Sequence, residues 1–258
     1  MSAHPERHRR LLFGRRKGPK LSAHQQQLLK DVLPALTLAL KDGADPRSYF
    51  SEEVQDVWLE IGFGAGEHLA WQAEHHPHVG IIGAEPFVNG VAKLLSRISL
   101  SPTGGEGRGE GASTTELDHS APPHLNPLPL RGRGSNLRIH TGDAREIIAA
   151  LPNASLGRVF ILFPDPWPKT RHHKRRFIQS DVLDELARVM RSGAELRFAS
   201  DDAPYLDWTL ERLTTHPAFT WTATCAADWH SRTDDWPQTR YEAKQLHGAP
   251  AFLSFLRR

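Results

Sequence analysis

Val54-Gln55-Asp56-Val57-Trp58-Leu59-Glu60-Ile61-Gly62-Phe63-Gly64-Ala65-Gly66 is the stretch that decides the fold. An apolar run, Val54 to Ile61, stops abruptly at Gly-x-Gly-x-Gly, and a helical pattern follows from Glu67 to about His76. Strand, glycine turn and helix in succession make a nucleotide-binding turn, because glycines adopt positive φ and let the backbone pass close to a ligand. A dinucleotide fold would place a small residue at position 67, so that a pyrophosphate could sit on the helix start. Glu67 stands there and repels a pyrophosphate.

Working outward, apolar runs alternate with helical stretches. Strands are predicted at Val79–Ala84, Leu137–His140, Val159–Phe163 and Ala194–Ala199, and helices at Val88–Leu100, Arg145–Leu151, Phe177–Met190 and Ala203–Leu213. Continuous apolar strands separated by helices imply a mostly parallel sheet, in an α/β fold covered by helices on both faces. Phe219–Thr224 and Phe252–Leu256 complete seven strands and suggest an edge with one antiparallel member. Ahead of the sheet, Leu21 to Leu40 reads as a helix interrupted at Pro34.

Residues 101–135 stand apart, with seven Gly, five Pro and no aromatic residue, Val or Ile in 35 positions. Such a segment cannot bury enough apolar surface to offset its ordering entropy, and is read as a disordered insertion within a domain spanning 21–258. Residues 1–20 form a basic N-terminal arm with seven Lys/Arg and one acid, expected to be mobile when free.

With 32 basic and 30 acidic residues the chain is nearly neutral, but its basic residues cluster in that arm and again from Lys169 to Arg176. Two such clusters suggest a polyanion held in two places. One cysteine, Cys225, excludes an internal disulfide and any cysteine-based metal site. A lone thiol and the lack of a long apolar run or signal pattern point to the cytoplasm, with no membrane partner. The His75, His76 and His78 group has no zinc-motif spacing, so no metal is expected.

Carboxylates at strand ends sharpen the ligand. Glu60 precedes the glycines, Glu85 ends the second strand, 19 residues after Gly66, and Asp143 follows the third strand. S-adenosylmethionine carries an ammonium, a sulfonium and a ribose diol but no phosphate, so it suits a glycine turn ringed by acids better than NAD does. Each acid alone could instead be a helix N-cap or first-turn acid, Asp143 equally so, but three at successive strand ends argue against chance.

Phe163-Pro164-Asp165-Pro166-Trp167-Pro168-Lys169-Thr170-Arg171-His172-His173-Lys174-Arg175-Arg176 closes the fourth strand. Prolines flanking Asp165 restrict its backbone, and five basic residues follow, ready for phosphates. Trp167 offers either a stacking face for a base or a core aromatic. This string resembles the signature of the bacterial tRNA (guanine-N7)-methyltransferase family, with Leu59–Gly64, Gly83–Glu85, Gly142–Ala144, Ala199–Asp202 and Thr239–Glu242 similar to its other motifs in order.

The resemblance covers roughly residues 50–100 and 136–258, and the insertion departs from it. It implies a Rossmann-like class I methyltransferase fold, S-adenosyl-L-methionine as cofactor, and tRNA as partner, methylated at N7 of the variable-loop guanosine 46. By the same resemblance Glu60, Glu85, Asp143 and Asp165 line the cofactor site beside Gly62, Gly64 and Gly66, and Asp165 is catalytic. Lys169, Asp201, Thr239, Arg240, Tyr241 and Glu242 would contact the substrate. Competing readings are methylation of an exocyclic amine in another RNA or a protein, an NAD-dependent dehydrogenase, and a non-catalytic RNA-binding module. Glu67 disfavours the dehydrogenase, and strand-end carboxylates, which repel RNA, disfavour the module.

Overall fold

A computed structural model describes residues 13–14, 16, 18–51, 53–100, 135–244 and 246–258. The insertion reading, except Ser135, and the first twelve residues of the arm lie outside the described residues.

Two short helices, α1 (Ala23–Asp31) and α2 (Leu33–Leu36), precede the sheet. Ser22 and Gln25 close a reciprocal capping box on α1. The break falls at Val32 rather than at Pro34, because proline fits the first turn of a new helix but not the interior of an old one.

The sheet then alternates with helices: β1 (Asp56–Ile61), α3 (Glu67–His75), β2 (Val79–Ala84), α4 (Val88–Leu100), β3 (Leu137–His140), α5 (Ala144–Ala150), β4 (Leu156–Leu162), α6 (Ser180–Val189), β5 (Met190–Ser200) and α7 (Ala203–Thr215). The chain finishes with β6 (Phe219–Trp221), two single-turn helices, α8 (Ala227–His230) and α9 (Arg240–Lys244), and β7 (Ala251–Arg257). The sheet order is β3-β2-β1-β4-β5-β7-β6. Strands β1 to β5 run parallel, while β7 is antiparallel to both β5 and β6. The last strand is therefore inserted inside its predecessor, leaving the three-residue β6 as the edge. A short edge strand offers little template for pairing with another chain.

Alternation along β1 divides the core. Val57, Leu59 and Ile61 pack with Val159, Ile161 and Leu196 on one face. Trp58 packs with Ile81, Phe160, Leu69 and Leu94 on the other, the face of α3 and α4. Glu60 shares the parity of Trp58 and so faces α3.

One predicted boundary shifts for a visible reason. Phe177 and Ile178 do not begin α6, because their N–H groups donate to the Tyr205 hydroxyl at 3.0 and 3.4 Å. Tyr205 is fully buried, and burial pushes its hydroxyl up to about 12, so it serves as a neutral acceptor.

Candidate active site

Strand order reverses between β1 and β4, and open α/β sheets bind ligands at the carboxyl ends of the strands beside such a switch. A cavity of about 880 Å³ opens there. Its wall includes Glu60, Glu85, Asp143 and Asp165 from the ends of β1, β2, β3 and β4, the acids singled out in the sequence.

The glycine turn supplies the floor. Gly62, Gly64 and Gly66 hold φ of +74°, +57° and +74°, the left-handed region. At Gly62 an added Cβ would meet nothing, so the space above it is open to a ligand. Gly66 is placed differently from expectation: it is the N-cap of α3, and a Cβ there would come within 2.5 Å of Leu94. It packs α3 against α4 and does not line the cavity. Gly90, unremarked in the sequence, has a similar role, since its Cβ would lie 2.2 Å from the Gly64 carbonyl oxygen.

Glu85 accepts from the Gly64 N–H at 2.7 Å and from the Phe87 N–H at 2.8 Å. One oxygen is used for each, so both retain acceptor capacity towards the cavity. Burial pushes its pKa up, the two N–H donors oppose that, and the charges of Asp165 and Glu60 add to the rise. Glu60 is buried and accepts from His68 Nδ1 at 2.8 Å. Asp143 caps α5 through the Arg145 N–H and is clasped by the Arg145 guanidinium. The cap and the cavity-wall readings of Asp143 thus hold together. Glu67 also reaches the wall and pairs with Arg97 at 3.3 Å. A cation with hydroxyl donors fits this acidic set, as S-adenosylmethionine would, and a pyrophosphate does not.

Asp165 sits on a constrained loop. Phe163 and Trp167, on either side of Pro164-Asp165-Pro166, hold φ of +50° and +47°. Left-handed backbone in bulky residues costs on the order of 1–3 kcal/mol each and persists only where the surroundings over-determine it. Arg176 is the main constraint: it is buried, and donates to the carbonyls of Pro166 at 2.8 Å and Pro204 at 3.2 Å. Its guanidinium also lies 4.9 Å from the Tyr205 ring centroid and 5.0 Å from that of Trp208. Arg176 is therefore a structural staple, not one of the phosphate ligands expected from the basic run. Arg175 stacks over Phe13 and Trp167 at 4.7 and 4.9 Å, while Lys169, Arg171 and Lys174 are exposed. Trp167 is half-buried at the rim and not a core aromatic.

The arm, expected to be mobile, is pinned where it is described. Arg16 accepts from the Val88 N–H, and Gly18 and Pro19 bond the Asn89 amide at 2.8 Å each. Phe13 and Gly14 reach the cavity wall, with Gly14 beside Asp165.

Of the expected substrate residues, Thr239 lines the cavity. Its hydroxyl accepts from the Glu242 N–H at 3.3 Å, ahead of α9. Glu242 is buried with one oxygen on Arg232 at 2.8 Å and the other without a partner among the described residues. Arg240 is exposed, and Lys169 stands at the start of a 3₁₀ turn, outside the cavity wall. Asp201 also stands outside it and accepts from the His247 N–H at 3.1 Å. The side chain of Tyr241 lies outside the described residues.

Sequence reasoning missed His68, Gln72 and Asp235. His68 and Gln72 are one helical turn apart on α3, a spacing visible in the sequence, but the bond from Gln72 to the Asp235 carbonyl was not.

Fold and site together define a Rossmann-like methyltransferase. A family described as "Putative methyltransferase" matches residues 54–251. The fold is shared with the 16S rRNA (adenine(1408)-N(1))-methyltransferase from Catenulisporales acidiphilia, at TM-score 0.51 and 14% identity, over 86% of this chain and 97% of that one. The tRNA (guanine-N(7)-)-methyltransferase of Rhodospirillum rubrum is 46% identical over 95% of this chain and 87% of its own. That of Paramagnetospirillum magneticum is 44% identical over 95% and 92%. The chain belongs to the tRNA (guanine-N7)-methyltransferase family.

Proposed function

We propose that the chain transfers a methyl group from S-adenosyl-L-methionine to N7 of a guanine in tRNA, guanosine 46 of the variable loop. The observation that carries this reading is the meeting, in one cavity, of the carboxylate-ringed glycine turn with the Asp165–Trp167 loop and Thr239.

Glu85 is the acceptor for the ribose diol and Glu60 for the ammonium, and Gly62, beside Gly64 on the cavity wall, leaves room for the methionine portion. Bound there, S-adenosylmethionine supplies an electrophilic methyl carried on a sulfonium. Guanine N7 has an in-plane lone pair and no proton at neutral pH, so no general base is required. The protein's work is alignment, and the constrained backbone around Asp165 serves it. Methylation leaves the imidazole ring cationic, and a fixed carboxylate at Asp165 stabilises that developing charge. Thr239 at the cavity wall, with Glu242 behind it carrying a buried oxygen that has no partner among the described residues, supplies acceptors for the guanine N1–H and amino group, donors that adenine lacks at those positions. Lys169, Arg171 and Lys174 lie on exposed surface beside the cavity, suited to tRNA phosphates.

The test is incubation with bulk tRNA and labelled S-adenosylmethionine, followed by digestion and identification of the nucleoside. Label in 7-methylguanosine supports the reading. Label in an N-methylated exocyclic amine would favour the competing one, and label absent from tRNA would refute both.

A further inference from the structure

A buried polar chain runs from the cofactor side of the cavity to the C-terminal segment. Glu60 on β1 accepts from His68 Nδ1 at 2.8 Å, and His68 Nε2 meets the Gln72 amide nitrogen at 3.0 Å. The same nitrogen donates to the Asp235 backbone carbonyl at 2.8 Å. His68 is 1% exposed and Gln72 0%, and the His68 ring packs edge-on against Phe160 at 4.6 Å.

The hydrogen-bonding capacities fix the direction of this chain. Only a donor can face the Asp235 carbonyl, so the amide NH₂ of Gln72 points that way and its second hydrogen goes to His68 Nε2. His68 Nε2 is then the acceptor, and the imidazole proton sits on Nδ1, donated to Glu60. Gln72 Oε1 is left buried without a partner among the described residues. A buried orphan acceptor is uncommon and costly, and it is tolerated here for the two donations that link α3 to Asp235.

Beyond Asp235 the segment is hung from the sheet. The Asp235 carboxylate binds Arg197 of β5 through both oxygens at 3.0 and 2.8 Å and reaches Arg158 of β4 at 3.2 Å. Trp236 is buried against Phe252, and its carbonyl accepts from Arg232, which also holds Glu242. Thr239 and Glu242 therefore depend for their placement on the anchor at Asp235 and Trp236.

We propose that His68 and Gln72 are positioning residues that couple cofactor occupancy at Glu60 to the order of the 233–244 segment, so that cofactor and tRNA bind cooperatively. The inference rests on the roles proposed above for Glu60, Thr239 and Glu242. A ligand cation at Glu60 competes for the carboxylate that His68 donates to, and the resulting change in polarisation passes along the chain, since linked hydrogen bonds strengthen or weaken together. Reciprocity then requires tRNA to tighten the cofactor by the same factor.

The experiment measures tRNA affinity of the full chain with and without S-adenosylhomocysteine, in the wild type and in Gln72→Met, which keeps volume and removes both donations. The wild type should bind tRNA about fivefold or more tighter with the product present, within the usual range of such couplings. In Gln72→Met the ratio should fall below about twofold. S-adenosylhomocysteine alone should still bind the variant, which separates lost coupling from a lost site. Hydrogen exchange of amides 233–244 in the wild type gives a second readout that needs no variant and no tRNA turnover, and it should slow when S-adenosylhomocysteine binds. Unchanged exchange, a wild-type ratio of one, or a Gln72→Met protein that melts normally and keeps the full ratio would each overturn the proposal. Failure of guanine methylation would instead count against the function, since exchange in the segment would still report on the link.

Discussion

Phe163 and Trp167 bracket Asp165, the residue proposed to stabilise the developing charge. Backbone strain on both sides of Asp165, held by Arg176 and the prolines, keeps one exposed carboxylate in one place. Its exposure means that removing it leaves no hole. Asp165→Ala should therefore melt like the wild type while turnover falls by about 10²–10³, as when one preorganised electrostatic group is lost. Near-normal turnover would remove Asp165 from the reaction. Glu85 is the opposite case, buried and with its pKa raised by burial. A raised carboxylate binds its proton more tightly in the fold, so ionisation costs stability as pH rises from the ordinary carboxylate value through the raised one. Over that same window cofactor affinity should increase with pH, because the ionised group is the better acceptor for ribose hydroxyls. Calorimetry across the acidic range would detect this rise, and Glu85→Ala should abolish it while weakening the cofactor about tenfold or more. A flat profile in the wild type would place the ribose elsewhere.

Elements give residues of the same type different work. The run from Lys169 to Arg176 reads in sequence as a single phosphate-binding patch, but the 3₁₀ turn over Thr170–Arg175 splays it. Lys174 faces the solvent, and Arg176 turns inward to the Pro166 and Pro204 carbonyls. Lys174→Ala should weaken tRNA binding evenly across tRNA sequences and reduce the salt slope by about one, with no change in melting. Arg176→Met should instead lower stability by about 1–3 kcal/mol, because the Pro166 and Pro204 carbonyls lose the donor that ties them together, and turnover should fall with it. Identical salt slopes for wild type and Lys174→Ala would take the turn out of the tRNA interface. Helix α3 divides its labour in the same way: its start serves the glycine turn through Gly66, and its inner face carries His68 and Gln72.

Across the whole molecule, Asp235 joins the C-terminal segment to the sheet through Arg197 and Arg158. Burial disfavours its charge, but the hydrogen bonds from Arg197 and Thr233 and the nearby guanidinium charges outweigh that and hold it well below the usual carboxylate range. A carboxyl with a depressed folded pKa contributes stability above its unfolded value, near 3.9, and that contribution is lost as pH falls below it. Melting temperature should thus drop more steeply on acidification in the wild type than in Asp235→Asn, and equal slopes would show that the link is not felt globally. The Gly- and Pro-rich segment makes a different prediction at this scale. Removing residues 101–135 and joining Leu100 to Asn136 through a short polar turn should preserve cofactor binding and methylation and leave melting unchanged or slightly raised. A helix-to-strand junction normally needs about 2–6 residues, and loop closure costs only about 0.6 kcal/mol per doubling of length. A deletion variant that fails to fold would refute the insertion reading, and one that binds cofactor normally but tRNA poorly would make the segment a contact.

The alternation of strands and helices, the glycine turn and the row of strand-end acids are legible in the sequence because they are local patterns. A strand parallel to its neighbours is an apolar run, and an acid at its carboxyl end or within three residues beyond is held at one edge of the sheet. Glu60, Glu85, Asp143 and Asp165 meet for that reason. Features carried by contacts distant in the chain emerge only once the chain is folded. The insertion of β7 between β5 and β6 depends on a sheet edge that no local pattern encodes. The inward turn of Arg176 depends on carbonyls at Pro166 and Pro204, and the assignment of His68 and Gln72 depends on Asp235, 163 residues beyond Gln72. Side chains with several donors have no intrinsic destination. Burial removes water as the alternative partner, and the fold then selects which acceptor each must reach.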